Sequence, residues 1–193
     1  TPSQPVRMYG YASRKTESEG IAGRLHASAL ALGGDDGEGP AILLAVDCGA
    51  VPSDLAAEVL RRVQAKVPLR SERFMLCNSH NHSGPNLKGM KSLTGDELEH
   101  MTRYAAELTE GLEQVVLQAL EARAPARLAV AQGRVGFAAN RRVLKDGKWA
   151  GFGAVPTGAV DHTLPLLRVT DAEGGPWSAP ITTEISWPDS SGA

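Results

Sequence analysis

Residues 41–48 read AILLAVDC and residues 73–77 read RFMLC. The first stretch is an unbroken apolar run with no polar face, the pattern of a central strand covered on both sides. The second is short, apolar and again strand-like. Between them Leu55, Val59, Val63 and Val67 recur at helical spacing, with Ser53 placed to cap the start and Pro68 to stop the end. Strand, helix, strand over about 35 residues is a βαβ unit, so the two strands are expected to run parallel.

Working outward, residues 24–32 alternate loosely and read as a strand, and GGDDGEGP at 33–40 is a turn cluster that predicts a hairpin into the central run. Residues 1–8 are polar with Pro2 and Pro5 and read as extended. Downstream, Thr94 and Glu97 have capping-box spacing. Leu98, Met101, Ala105, Leu108, Leu112, Val115 and Ala119 then follow in steps of three and four. This helix should stop before Pro125 and run on the order of 40 Å at about 1.5 Å per residue. Residues 127–137 read as one or two strands around Gly133, residues 144–158 as mostly loop, 164–169 as a strand and 171–175 as a turn. In residues 176–193 the strand propensity at 181–185 is broken up by Pro176, Pro180 and Pro188, which predicts an irregular tail. The expected fold class is α/β: a mixed sheet with a parallel βαβ centre and a long amphipathic helix. It forms one catalytic domain over residues 1–175, followed by the tail.

The chain of 193 residues can bury roughly 70% of its unfolded surface, so it needs no disulfide or metal merely to fold. Hydrophobic residues at 42% and charged residues at 22% exclude a disordered or collagen-like chain. A net charge of −2 leaves no electrostatic footprint for nucleic acid or an anionic membrane. The longest apolar run, residues 41–46, is far short of the roughly 20 residues a bilayer requires, so no integral membrane segment is expected. Cys48 and Cys77 fall at the ends of strands expected to be neighbours, where buried free thiols are commoner than a disulfide. No signal-like apolar segment follows Thr1.

The sharpest chemical signal is NSHNHSGP at residues 78–85, directly after the second strand. On an extended backbone His80 and His82 project to the same side, close enough to share one cation. The carboxyl end of a parallel strand is also where ligands collect in open α/β sheets. Gly84 and Pro85 turn the chain and leave room for a substrate. Zinc held by imidazole nitrogens with a water in an open position would fit. The alternative is a polar loop whose histidines hydrogen-bond locally, and spacing alone leaves the two readings even. Asp47, at the end of a buried strand, could ligate a metal or orient a ligand histidine, or else serve at the start of the helix. His162 could supply a third ligand, although a loop histidine is more often solvated. Glu184 is a further carboxylate candidate, and His26 and His100 read as structural. No G-x-S-x-G or S-x-x-K pattern is present, and Ser83, beside His82, is the serine candidate with a general-base neighbour.

NSHNHSGP resembles the THTHSGP segment of the neutral (non-lysosomal) ceramidases and their bacterial relatives. The resemblance continues in order along the chain. Met8-Tyr9-Gly10-Tyr11-Ala12-Ser13, Gly20-Ile21 and Arg24-Leu25-His26-Ala27-Ser28-Ala29 are similar to the family's MGY-x-S, GIH-x-R and AR-A opening. Leu44-Ala45-Val46-Asp47-Cys48-Gly49 resembles its strand ending in D-x-G, and Phe137-Ala138-Ala139-Asn140-Arg141-Arg142 its x-x-N-R-S segment. Residues 158–171 look like the segment that follows, so the likeness covers roughly residues 6–175.

The resemblance implies a zinc-dependent amidohydrolase on an α/β fold, in which the metal activates a water that attacks an acyl carbon. His80 and His82 map onto two zinc-binding histidines. Arg141 maps onto an arginine at the substrate, with Asn140 beside it and Gly84 as further substrate contacts. Zinc can lower the pKa of its water to about 7, and an arginine can stabilise the oxyanion that develops. The implied substrate is a small acyl amide or ester, an N-acyl lipid by resemblance. The 5% aromatic content and the lack of an evident acyl groove in the sequence keep a shorter ester in view. The family's third histidine, in a V-x-H-x-T/S segment, has no counterpart in residues 177–184, and its glutamate and tyrosine ligands come later still. The chain is therefore an amino-terminal piece, or it uses a local substitute ligand, or it is a non-catalytic remnant or metal-binding module. A serine-dependent esterase is the remaining alternative. A homo-oligomer could complete the site by donating a ligand across its interface. The resemblance favours a secreted or periplasmic location.

Overall fold

The computed structural model describes residues 1–11, 14–171 and 173–175. Glu184, the expected strand at 181–185 and the tail lie outside the described residues. The chain divides into two compact units, the first spanning Thr1–Arg123 and the second beginning at Ala124. The expected mixed α/β architecture with a long helix is present.

In the first unit β1 (Ala27–Leu32) runs antiparallel to β2 (Ala41–Val46), with Leu30 opposite Leu43. β2 runs parallel to β3 (Phe74–Asn78), with Leu44 opposite Leu76. The intervening chain forms α1 (Ser53–Gln64), and β2 is the middle strand of three. The helix α2 (Gly95–Glu121) packs on α1 and β1. Because side chains alternate across a strand, β2 has two unlike faces. Ile42, Leu44 and Val46 are at most 4% exposed and join Val59, Val63, Leu108 and Leu112 in the core, whereas Leu43 is 42% exposed and its neighbour Met75 58%. An apolar run does not say which of its faces the chain will cover, and the described residues cover one.

The helix ends depart from the sequence expectation. Pro52 is the N-cap of α1 and Ser53 its first residue, with no side-chain capping bond. Proline is suited to a helix start because its ring presets φ and it has no amide proton to leave unpaired. Thr94 is the N-cap of α2 but makes no capping bond, so the capping box is not closed. Its partner Glu97 is drawn instead to Arg7, which donates to Oε1 at 2.9 Å. A charge-assisted bond of this kind is stronger than a neutral one. Further along α2, Glu113 is buried and receives Lys66 Nζ at 2.7 Å and Arg62 at 3.8 Å, which ties α2 to the end of α1.

The second unit holds two antiparallel pairs. β4 (Arg127–Arg134) pairs with β7 (Thr163–Thr170), and β5 (Arg142–Lys145) pairs with β6 (Lys148–Phe152). The second pair lies where a loop was expected. Its turn is Asp146-Gly147, both with positive φ (54° and 73°), the conformation of a two-residue hairpin turn that Asp-Gly favours. Gly147, read as a loop signal, is therefore a hairpin signal.

Candidate functional site

The site grows from the ends of β2 and β3. The parallel pairing places Val46 beside Asn78, and the Ser79 amide donates to the Val46 carbonyl at 3.1 Å, so Asp47–Gly49 and Ser79–His82 leave the sheet together. The histidine segment is not extended. His80 has φ +52°, in the left-handed region that a β-carbon disfavours. The two rings nevertheless meet, with centroids 5.6 Å apart and planes at 65°.

Hydrogen bonding fixes the tautomer of His80. Its Nδ1 lies 2.7 Å from the Gly49 carbonyl, which can only accept, so Nδ1 carries a proton, and in the neutral ring the lone pair is on Nε2. Asn78 also donates to that carbonyl, at 3.4 Å. A histidine whose one nitrogen is held by a backbone carbonyl while the other is free is arranged as metal-ligating histidines are. Two imidazoles on one tetrahedral zinc have centroids about 5–6 Å apart, given Zn–N bonds of about 2.0–2.1 Å. The separation of the two rings matches that spacing. The further corners are not supplied here: among the described residues no group of three or more His, Cys, Asp or Glu side chains is placed to hold a metal.

The segment before β1 builds the other wall. The Tyr9 amide donates to the Gly84 carbonyl at 2.8 Å, and the Asn86 amide to the Arg7 carbonyl at 2.7 Å, which straps residues 7–9 along residues 84–86. Tyr9 meets both imidazoles edge-on, at 5.7 Å from His80 and 5.4 Å from His82. Tyr11 meets His82 at 5.0 Å, and the Arg14 guanidinium lies 4.8 Å from the Tyr11 ring. Arg14 also donates to the carbonyls of Tyr9 at 2.9 Å and His82 at 2.5 Å. A β-carbon at Gly10 would overlap the His82 ring, and one at Gly49 the Tyr9 ring. A cavity of about 660 Å³ opens alongside, with Arg14, Met8, Ser83 and Pro85 on the site's side and Val6, Ile21 and Leu25 among its apolar lining.

The other sequence candidates fall as follows. Asp47 Oδ2 accepts from the His26 backbone amide at 3.1 Å, so its carboxylate closes the end of the β1–β2 pair. Gly84 is buried beneath the strap and faces the Asp47 carbonyl, where a β-carbon would stand 3.6 Å away. Ser83 is exposed, and no hydrogen bond joins its hydroxyl to a histidine among the described residues; its amide donates to Asn81 Oδ1 at 3.1 Å. His100 pairs with Glu17 at 2.9 Å. Arg141 and Asn140 belong to the second unit. Arg141 is exposed, and the Asn140 amide group is engaged at both ends, donating to the Ala159 carbonyl at 3.0 Å and accepting from the Arg142 amide at 2.9 Å. His162, in the same unit, has Nδ1 2.9 Å from the Val135 carbonyl. Cys48 is buried and Cys77 exposed, both free. Tyr9, Arg14 and Gly49 were not among the sequence candidates. Tyr9 and Gly49 lay in resembling segments, Gly49 as the glycine after D-C, whereas Arg14 lies just past the first of these segments and carried no signal.

Among the described residues no helix is long and apolar enough to cross a membrane. No curated protein matches the chain. Solved structures resemble it, two of them as follows. The neutral ceramidase from Pseudomonas aeruginosa is 25% identical with a TM-score of 0.64, over 89% of this chain and 28% of that one. A ceramidase complexed with C2 gives the same identity, TM-score and share of this chain, and 27% of its own length is covered. The chain thus spans little more than a quarter of these relatives. The profile of the neutral/alkaline non-lysosomal ceramidase amino-terminal region matches residues 1–150, so three quarters of the sequence carries the signature and the chain belongs to that family.

Proposed function

We propose that this chain carries part of a hydrolytic site for the acyl bond of an amide-linked lipid, with His80 and His82 as two ligands of a zinc ion. The observation that supports this most is the His80 Nδ1 contact with the Gly49 carbonyl, which leaves Nε2 without a hydrogen bond among the described residues, on a ring whose centroid lies 5.6 Å from that of His82. A bound zinc would supply a water whose pKa is lowered to about 7. The protein's own residues do the rest. Gly49 holds the His80 tautomer, and Arg14 anchors the His82 backbone. The cavity beside Ser83 and Pro85 offers apolar walls to an acyl chain. In this reading residues 1–175 form the catalytic domain of a secreted or periplasmic protein. The third metal ligand comes from beyond the described residues or from a second copy of the chain.

A second reading, a metal-binding module without turnover, is favoured by one observation: among the described residues no third ligand stands near the pair. The 193-residue chain separates the two. It is loaded with zinc and assayed on N-acyl sphingoid amides and short esters, with and without a chelator, alongside elemental analysis. Bound zinc with chelator-sensitive cleavage is the expected result. Bound zinc without cleavage gives the module reading, and neither gives the remnant. Cleavage that survives chelation and both histidine-to-alanine changes moves the chemistry to Ser83.

A further inference from the structure

Two glycines next to the histidines have the place of their missing side chain filled by a ring. A β-carbon on Gly49 would overlap Cδ1 and Cγ of Tyr9, and one on Gly10 would overlap His82. Tyr9 is therefore seated directly on the residue whose carbonyl takes the His80 Nδ1 proton. Its ring also meets both imidazoles edge-on, at 5.7 and 5.4 Å, nearly equidistant from the two. Its backbone is fixed independently of the ring, through its amide on the Gly84 carbonyl and its carbonyl under Arg14. Its phenol hydroxyl makes no hydrogen bond among the described residues, so the aromatic body is the part in use.

We propose that Tyr9 is a positioning residue for the histidine pair: wedged on Gly49 and against both imidazoles, it holds the Gly49 carbonyl on His80 Nδ1 and sets the separation of the rings. Dispersion and edge-to-face contacts supply the wedge, and the glycine supplies the space. The device is needed because His80 sits at φ +52°, which its own backbone preference does not favour. Without the wedge the Gly49 carbonyl keeps only the long 3.4 Å bond from Asn78 beside its contact with His80, and His80 becomes free to exchange its proton between nitrogens. The consequence for metal binding rests on the zinc reading above; the consequence for the tautomer does not.

The test uses the whole chain, with histidine ring nitrogens followed by long-range 15N NMR at a pH where the imidazoles are neutral, and zinc affinity by calorimetry. Wild-type His80 is expected to carry its proton on Nδ1. Tyr9→Phe should keep that tautomer and the zinc affinity. Tyr9→Ala and Gly49→Ala should both let His80 populate the other tautomer and should weaken zinc about tenfold or more, the scale of losing an outer support of a ligand histidine. Helical circular dichroism checks that each variant is folded. A wild-type His80 protonated on Nε2 overturns the proposal with no variant needed, as does an unchanged tautomer in folded Tyr9→Ala. If wild type binds no zinc while the tautomer responds as stated, the metal reading fails and the positioning role stands. If zinc binds and neither variant alters affinity or tautomer, the positioning role fails alone.

Discussion

Gly10 and Gly37 have similar backbones, with φ +76° and +57°, and unlike surroundings. Nothing lies within 4 Å of where a β-carbon would stand on Gly37, whereas at Gly10 it would overlap the His82 ring. Alanine at Gly37 should cost about 1 kcal/mol, the conformational part alone. Alanine at Gly10 should cost more and should also displace His82, so on the proposed zinc reading the affinity for zinc should fall for Gly10→Ala and stay level for Gly37→Ala. Calorimetry on the two variants checks this. The thiols give a second contrast. Cys77 is exposed and should react with a thiol reagent in the native protein, while buried Cys48 should react only on unfolding. Burial also pushes the Cys48 thiol up. A raised pKa means that the folded state favours the neutral thiol. That contribution is complete below the ordinary thiol pKa and is lost as pH rises from there through the folded value, so denaturant midpoints of wild type should fall more steeply in the alkaline range than those of Cys48→Ala. At this scale the sequence made the two histidines visible because they are two apart in one short string. Tyr9 and Gly49 were not visible as partners, since their contact joins residues 40 positions apart and arises from a strap and a strand end meeting.

Strands and helices were more legible than their edges. The apolar run of β2, the helical spacing of α1 and the long stripe of α2 each carry a periodicity that burial turns into structure, and all three are present. Which face of β2 is buried was not legible, because Leu43 and Leu44 look alike in sequence and differ only in what the chain folds against. Their substitution separates them. Leu44 is fully buried, and Leu44→Ala should cost about 2–5 kcal/mol. Leu43→Ala, on the open face, should cost less than about 1 kcal/mol. Urea unfolding of both variants reads the difference directly. The closing of helix α2 was misread for a related reason: Glu97 had a local partner in Thr94 and a distant one in Arg7, and the charged, distant one is engaged. The same element carries Glu113, buried against Lys66. Lys66→Met should destabilise by about 1–3 kcal/mol, because it leaves a carboxylate out of water with only Arg62 at 3.8 Å.

Across the described residues no buried apolar core side chain lies beyond Leu120. The strands after Arg123 have no such interior. Val130 is 82% exposed and Phe152 77%, and β4 pairs with a single partner, as does β5. Two-stranded ribbons without a covered face are marginal on their own. Opening free energies should therefore differ sharply along the chain. Amides of β2 and of the middle of α2, around Leu108 to Val116, should exchange with deuterium only through global unfolding. Amides paired between β4 and β7 and between β5 and β6 should exchange far sooner, and their rates should not respond to Leu44→Ala, which should speed exchange in β2 and α2 together. Mass-resolved exchange on the wild type and that one variant tests both halves of the argument. Equal protection before and after residue 123 would mean that the second unit has an energetic support the burial pattern does not show. A response of β4 to Leu44→Ala would mean that the two units unfold as one.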